Sequence, residues 1–163
     1  VMFSGDKLFG GPQCGVIAGR ADLIEACVQH PLARALRPGS TTMFAMQSLA
    51  MSYLGRTATK DVAFWKMATI AITELQSRAE KIIAAAKTGE ICMLDSIPGA
   101  GSAPGATIAS IGIVVNGDYL SKLRMYDTPI IARVKDNKTF LDLRTIQPDD
   151  DAIVVQALQR LAE

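Results

Sequence analysis

Residues 3–19 read Phe3-Ser4-Gly5-Asp6-Lys7-Leu8-Phe9-Gly10-Gly11-Pro12-Gln13-Cys14-Gly15-Val16-Ile17-Ala18-Gly19. Val1, Met2 and Phe3 have the character of a strand end, and residues 14–18 form the short apolar run of a buried strand. Between them residues 4–13 hold three glycines and a proline, the composition of a tight loop. A lysine on such a loop reaches toward the cleft at the strand ends, where α/β proteins bind ligands. It can form a Schiff base with an aldehyde if burial and a preorganised site keep the amine partly neutral. Ser4 offers a hydroxyl to a phosphate, and Gly10 and Gly11 allow backbone N–H groups to approach one closely. Together these groups suit a cofactor that carries an aldehyde and a phosphate. The competing reading is a surface turn with a solvated lysine. The four-residue pattern S-x-x-K is common, but the GGPQ that follows and the flanking strands favour the cofactor loop.

Working outward, residues 22–29 have helical spacing, and Pro31 and Pro38-Gly39 bracket a basic turn over residues 32–37. Ser40 or Thr41 is placed to cap a helix whose apolar face runs through Met43, Met46, Ala50 and Leu54. After a polar break at residues 55–60, helical spacing resumes from Val62 and runs to about Lys87, long enough to link two bodies of structure. From Glu90 the order is strand (90–97), loop (98–106), strand (107–115), helix (118–126), strand (128–135), strand (138–144) and closing helix (149–162). Asp136-Asn137 is a two-residue hairpin signal. This order describes a compact α/β layer with a sheet on one side and helices on the other. The segment before about residue 62 cannot close a core alone, because a strand pair with two helices leaves sheet edges open. The rest of a larger α/β domain is expected upstream of Val1.

Seventeen basic residues against sixteen acidic ones leave a net charge of +1, so there is no global pull toward nucleic acid. Cys14, Cys27 and Cys92 are odd in number and contain no CxxC pair. Neither a disulfide framework nor a zinc site is indicated, and a reducing cytoplasm is the expected compartment. The longest apolar runs, such as residues 108–115, fall short of the roughly 20 residues a membrane span needs, and no signal peptide is visible.

The loop FSGDKLFGGPQCGVIAG resembles the cofactor-lysine segment of the bacterial selenocysteine synthases, the L-seryl-tRNA(Sec) selenium transferases. The likeness continues through HPLARALRPG at 30–39, FWKM at 64–67, PGAGSAPGATIAS at 98–110 and PIIARVKDNKTFLDLRTI at 129–146. It covers nearly the whole chain in order. Cys14 departs from the small residues usual there, and the GAGSAPG loop departs from a fuller glycine run. The resemblance implies the C-terminal part of a fold-type I pyridoxal phosphate enzyme. Residues 1–61 would end the large cofactor-binding domain, 62–87 would be a linking helix, and 88–163 a small C-terminal α/β domain. It further implies that Lys7 carries the cofactor, with Asp6 as its acidic neighbour. Seryl-tRNA(Sec) and selenophosphate would be the substrates. Arg34 and Arg37 match the arginines that hold the anionic selenium donor. The implied partners are the upstream half of the same enzyme and further protomers in a ring of dimers.

Two guanidiniums at i, i+3 suit a small anion; their alternative is a solvated basic turn or a helix C-terminal cap. Arg144 resembles the arginine that many fold-type I enzymes keep for a substrate carboxylate. That carboxylate is an uncharged ester in an aminoacyl-tRNA, so Arg144 would contact the tRNA end or brace the small domain, with Arg133 an equal competitor. His30 reads as a capping or packing group, Cys14 as inert packing, Trp65 as core, and residues 149–151 as a capped helix start rather than a metal site. Two other functions compete with the transferase. One is a related pyridoxal phosphate lyase acting on a small amino acid or amino sugar phosphate, which would not need the arginine pair. The other is a non-catalytic fragment or scaffold.

Overall fold

The computed structural model of the chain describes residues 1–99 and 101–161. Ala100, within the Gly/Ser loop, and Ala162, expected to end the closing helix, lie outside the described residues. The chain separates into two compact units, Val1–Lys66 and Met67–Glu163.

In the first unit, β1 (Met2–Ser4) and β2 (Gly15–Ile17) pair antiparallel, with Phe3 opposite Val16. Four helices follow: α1 (Ala21–Gln29), α2 (Pro31–Ala35), α3 (Ser40–Leu54) and α4 (Ala58–Asp61). His30 caps α2, its Nδ1 accepting from the Leu32 N–H at 3.2 Å, and Pro31 starts the helix where no N–H is needed. Gly39, not Ser40 or Thr41, is the N-cap of α3, and no side chain caps that end. Val62 is the one buried apolar side chain among the described residues of this unit. The expectation that this segment closes no core of its own therefore holds.

The helix expected to run unbroken over residues 62–87 is two helices, α5 (Ala63–Ala68) and α6 (Ile72–Ala86), separated by an extended Ala71. No glycine or proline marks the break. The carbonyls of Met67, Ala68 and Ile70 instead accept from the Arg144 guanidinium, which replaces partners that a continuous helix would supply.

In the second unit, α6 buries Leu75, Arg78, Ala79, Ile82 and Ala86, one face at helical spacing. It ends on Lys87 in the left-handed conformation. β3 (Glu90–Ser96), β4 (Ile108–Asn116), β5 (Arg133–Lys135) and β6 (Lys138–Asp142) form an antiparallel sheet in the order β3-β4-β6-β5. A short α7 (Leu120–Arg124) follows β4, and α8 (Asp151–Leu161) closes the chain. Asp136 and Asn137 both have positive φ, 52° and 54°, and make the tight turn between β5 and β6. Ile111, Ile113 and Leu141 from the sheet join Leu75, Ile82, Val154 and Leu158 from the helices in one core. Arg78 crosses that layer, donating to both carboxylate oxygens of Asp151 at 3.0 and 2.7 Å and to the carbonyls of Leu143 and Ile146. Asp151 is thus an ion-pair partner as well as the helix start. The two-layer α/β arrangement matches the one expected from residue 90 onward.

Candidate active site

The loop after β1 is closed by its own backbone. The Gly5 N–H donates to the Cys14 carbonyl at 2.8 Å, Gly11 N–H to the Gly5 carbonyl at 2.7 Å, and Gly10 N–H to the Lys7 carbonyl at 2.8 Å. Lys7 therefore opens a four-residue turn that ends on Gly10, whose φ of 82° suits glycine. A Cβ on Gly10 would stand 2.3 Å from Val62 Cγ1. One on Gly11 would stand 2.7 Å from Leu49 Cδ2 and 2.9 Å from Met46 Sδ. These glycines let the loop lie flat on α3 and on Val62. The N–H groups of Gly10 and Gly11, expected to face a phosphate, are instead engaged inside the loop. Their role in the geometry is to shape the turn.

Lys7 points away from this packing. Its side chain is 54% exposed, and Nζ donates to Asp6 Oδ2 at 2.6 Å. That hydrogen bond holds the Asp6 carboxyl below the ordinary aspartate range; partial burial opposes it, and the backbone N–H and the lysine charge add to it. Ser4, at the end of β1, is exposed. The amine is accessible and has a hydroxyl three residues before it, but in this unit it is not sheltered, and the carboxylate beside it favours its charged form.

The loop is also held from its far side. The Tyr53 ring stacks on Phe9 at 4.7 Å with an interplanar angle of 1°, and Phe9 meets Phe3 edge-on at 5.3 Å. Tyr53 Oη donates to the Phe9 carbonyl at 2.9 Å and accepts from Trp65 Nε1 at 2.7 Å. The face of α3 that meets the loop is therefore Met46, Leu49 and Tyr53. On the expected face, Met43 and Leu54 are 59% and 78% exposed. Apolar residues surround α3 on all sides, so periodicity alone could not choose the face. The i, i+3, i+7 spacing of Met46, Leu49 and Tyr53 was the available signal.

Arg34 lies in the last turn of α2, whereas Arg37 lies beyond its Leu36 cap, in the connection to α3. Both are exposed, and neither is in an ion pair among the described residues. Arg37 borders a cleft with Pro38, Ser40, Met43, Phe44 and Gln47. The two arginines therefore do not share one helix face as their spacing suggested.

Arg144 is buried at 4% exposure in the second unit. Its Nη1 donates to the Met67, Ala68 and Ile70 carbonyls at 2.9, 3.2 and 3.0 Å, and Nη2 to the Ala109 carbonyl at 2.6 Å. Of the two roles expected for it, the geometry is that of a brace. Arg133 is half exposed and donates to the Asp95 carbonyl and, at 3.4 Å, to Asp142 Oδ2. Asp142 also accepts from Ser96 and Ser110, each at 2.6 Å. Burial pushes the nearby Cys92 thiol up from its ordinary value. No group of three or more side chains that could hold a metal ion occurs among the described residues. No helix among them is long and apolar enough to cross a membrane.

A lysine presented on a glycine turn after a strand, followed by helices and a small antiparallel α/β layer, is consistent with the C-terminal part of a fold-type I pyridoxal phosphate enzyme, the class that the resemblance implies. Comparison with known proteins agrees. The family model described as L-seryl-tRNA selenium transferase matches residues 1–147. The L-seryl-tRNA(Sec) selenium transferases of Alkaliphilus oremlandii and Alkaliphilus metalliredigens are 34% and 35% identical, each over 100% of this chain and 38% of their own length. That of Geobacter sulfurreducens is 33% identical over 99% of this chain. Among solved structures, D-glucosaminate-6-phosphate ammonia-lyase aligns with a TM-score of 0.64 and 26% identity, covering 99% of this chain and 42% of that one. The chain belongs to the L-seryl-tRNA selenium transferase family, and it spans 38% of the length of the curated relatives it matches.

Proposed function

We propose that this chain is the lysine-bearing C-terminal part of an enzyme that converts seryl-tRNA(Sec) to selenocysteinyl-tRNA(Sec) with selenophosphate, using pyridoxal 5'-phosphate. The observation that carries this is the family match over residues 1–147, which includes the Lys7 loop, the arginines and the strand before Arg144. On this reading Lys7 holds the cofactor aldehyde through its amine, and Ser4 turns its hydroxyl to the cofactor phosphate. When bound, the cofactor stabilises negative charge at the α-carbon of the seryl group. Lys7, displaced by the seryl amine, takes the α-proton, and the serine hydroxyl then leaves from the β-carbon. Asp6 orients the lysine and accepts its N–H. Arg34 and Arg37 hold the anionic selenium donor; its selenium bonds to the β-carbon, Lys7 returns the proton to the α-carbon, and water takes the phosphoryl group from selenium to release phosphate. Shelter for the amine comes from the rest of the enzyme and from neighbouring protomers in a homo-oligomer. The cytoplasm, where charged tRNA is used, is its compartment.

The test is incubation of the full-length enzyme with seryl-tRNA(Sec), selenophosphate and cofactor. Selenocysteinyl-tRNA(Sec) is expected from the wild type and not from Lys7→Ala. Arg34→Ala and Arg37→Ala are expected to raise the KM for selenophosphate more than they lower kcat.

The likeness to D-glucosaminate-6-phosphate ammonia-lyase supports a second reading, a lyase releasing ammonia from an amino sugar phosphate. Ammonia release from D-glucosaminate 6-phosphate, with no transfer of selenium to seryl-tRNA(Sec), would favour it.

A further inference from the structure

We infer that Tyr53 is a positioning residue for Lys7, an inference that rests on the cofactor role of Lys7 proposed above. The Lys7 turn has two fixed points. One is the Lys7 carbonyl, bonded to Gly10 N–H at 2.8 Å; the other is the Phe9 carbonyl, bonded to Tyr53 Oη at 2.9 Å. Phe9 is two residues from Lys7, so the tyrosine hydroxyl sets the peptide plane at the far side of the turn that presents the amine. The stacked ring fixes the Phe9 side chain, and Phe3 on β1 closes the other edge. Trp65 Nε1 donates to the same Oη at 2.7 Å, which directs the hydroxyl proton toward the Phe9 carbonyl. Polarisation along this chain strengthens the bond to the loop.

The cluster is only half-buried, and Val62 is the sole buried apolar side chain described in this unit. Its main consequence is therefore local, where it restricts the turn. Covalent capture of an aldehyde depends steeply on the placement of the attacking amine, so loosening the turn slows capture before it unfolds the protein.

The experiment uses the full-length apoenzyme mixed with pyridoxal 5'-phosphate, following the absorption band of the covalently bound cofactor, with Lys7→Ala as reference. Tyr53→Phe keeps the ring and removes the hydroxyl. It is expected to slow appearance of the band about five- to tenfold, the effect of losing one hydrogen bond. The thermal midpoint of the apoenzyme should stay within about 2 °C. Trp65→Phe, which leaves the bond to Phe9, should slow capture less. A lowered thermal midpoint with unchanged capture would show a purely structural role and overturn the inference. Unchanged capture with unchanged stability would overturn it as well. A wild-type enzyme with no Lys7-dependent band would instead bring down the cofactor role itself, and this inference with it.

Discussion

At the Lys7–Asp6 pair an amine stands 2.6 Å from a carboxylate, and the bond favours the ionised acid. The folded value for Asp6 lies below its ordinary one. What the pair contributes to holding the loop is therefore complete above the ordinary aspartate range and is lost as pH falls through the lowered value. Lys7→Met removes the donor, so the 13C carboxyl titration of Asp6 should move up toward the usual range; an unchanged midpoint would contradict the pairing. Arg144 is the other decisive residue. Lysine in its place cannot reach four carbonyls at once, and Arg144→Lys should cost roughly 3 kcal/mol of stability, seen as a lower urea midpoint. Were Arg144 a substrate ligand, the same change would raise KM and leave the midpoint alone. Residue chemistry was legible in the sequence where it depended on neighbours, as with His30 capping its own helix. For Arg144 the brace was one of two open readings, and the sequence could not choose between them because its partners lie some 35 to 77 positions away.

At the scale of elements, β3, β4, β6 and the Asp136-Asn137 turn follow from the sequence. The strand expected over 128–135, however, is only Arg133–Lys135, Pro129 having no N–H to give a ladder. The helix break before Ile72 does not follow from the sequence, since its cause is a side chain from the far end of the chain. Tyr53 was missed for a related reason: α3 is apolar all round, and only the loop it touches selects a face. Gly112 offers a test of the sheet itself. It pairs with both Cys92 and Asp142 across β4. A Cβ there would lie 2.3 Å from Leu94 Cδ1 and 2.4 Å from the Leu141 carbonyl oxygen. The leucine tip can swing aside, but the neighbouring strand's backbone cannot. Gly112→Ala should therefore destabilise by about 3 kcal/mol in urea unfolding. A loss under 0.5 kcal/mol, within the range of an ordinary surface change, would contradict this packing.

For the whole molecule, the two units differ in kind. The second holds a continuous core around Leu75, Ile113, Leu141 and Leu158. The first leaves Met2, Phe44 and Leu54 more than 70% exposed, too little burial to offset the entropy of ordering its chain. We propose that the remaining length of the enzyme covers these faces and supplies the rest of the cofactor site. On that basis the 163-residue chain alone should show no covalently bound cofactor, whereas the assembled enzyme should. The most direct measurement is borohydride reduction of the full-length enzyme loaded with pyridoxal 5'-phosphate, followed by digestion and mass spectrometry of the modified peptide. The predicted result is a phosphopyridoxyl group on Lys7 and on no other lysine of this chain; a cofactor fixed at a different lysine, or none fixed at all, would contradict the account.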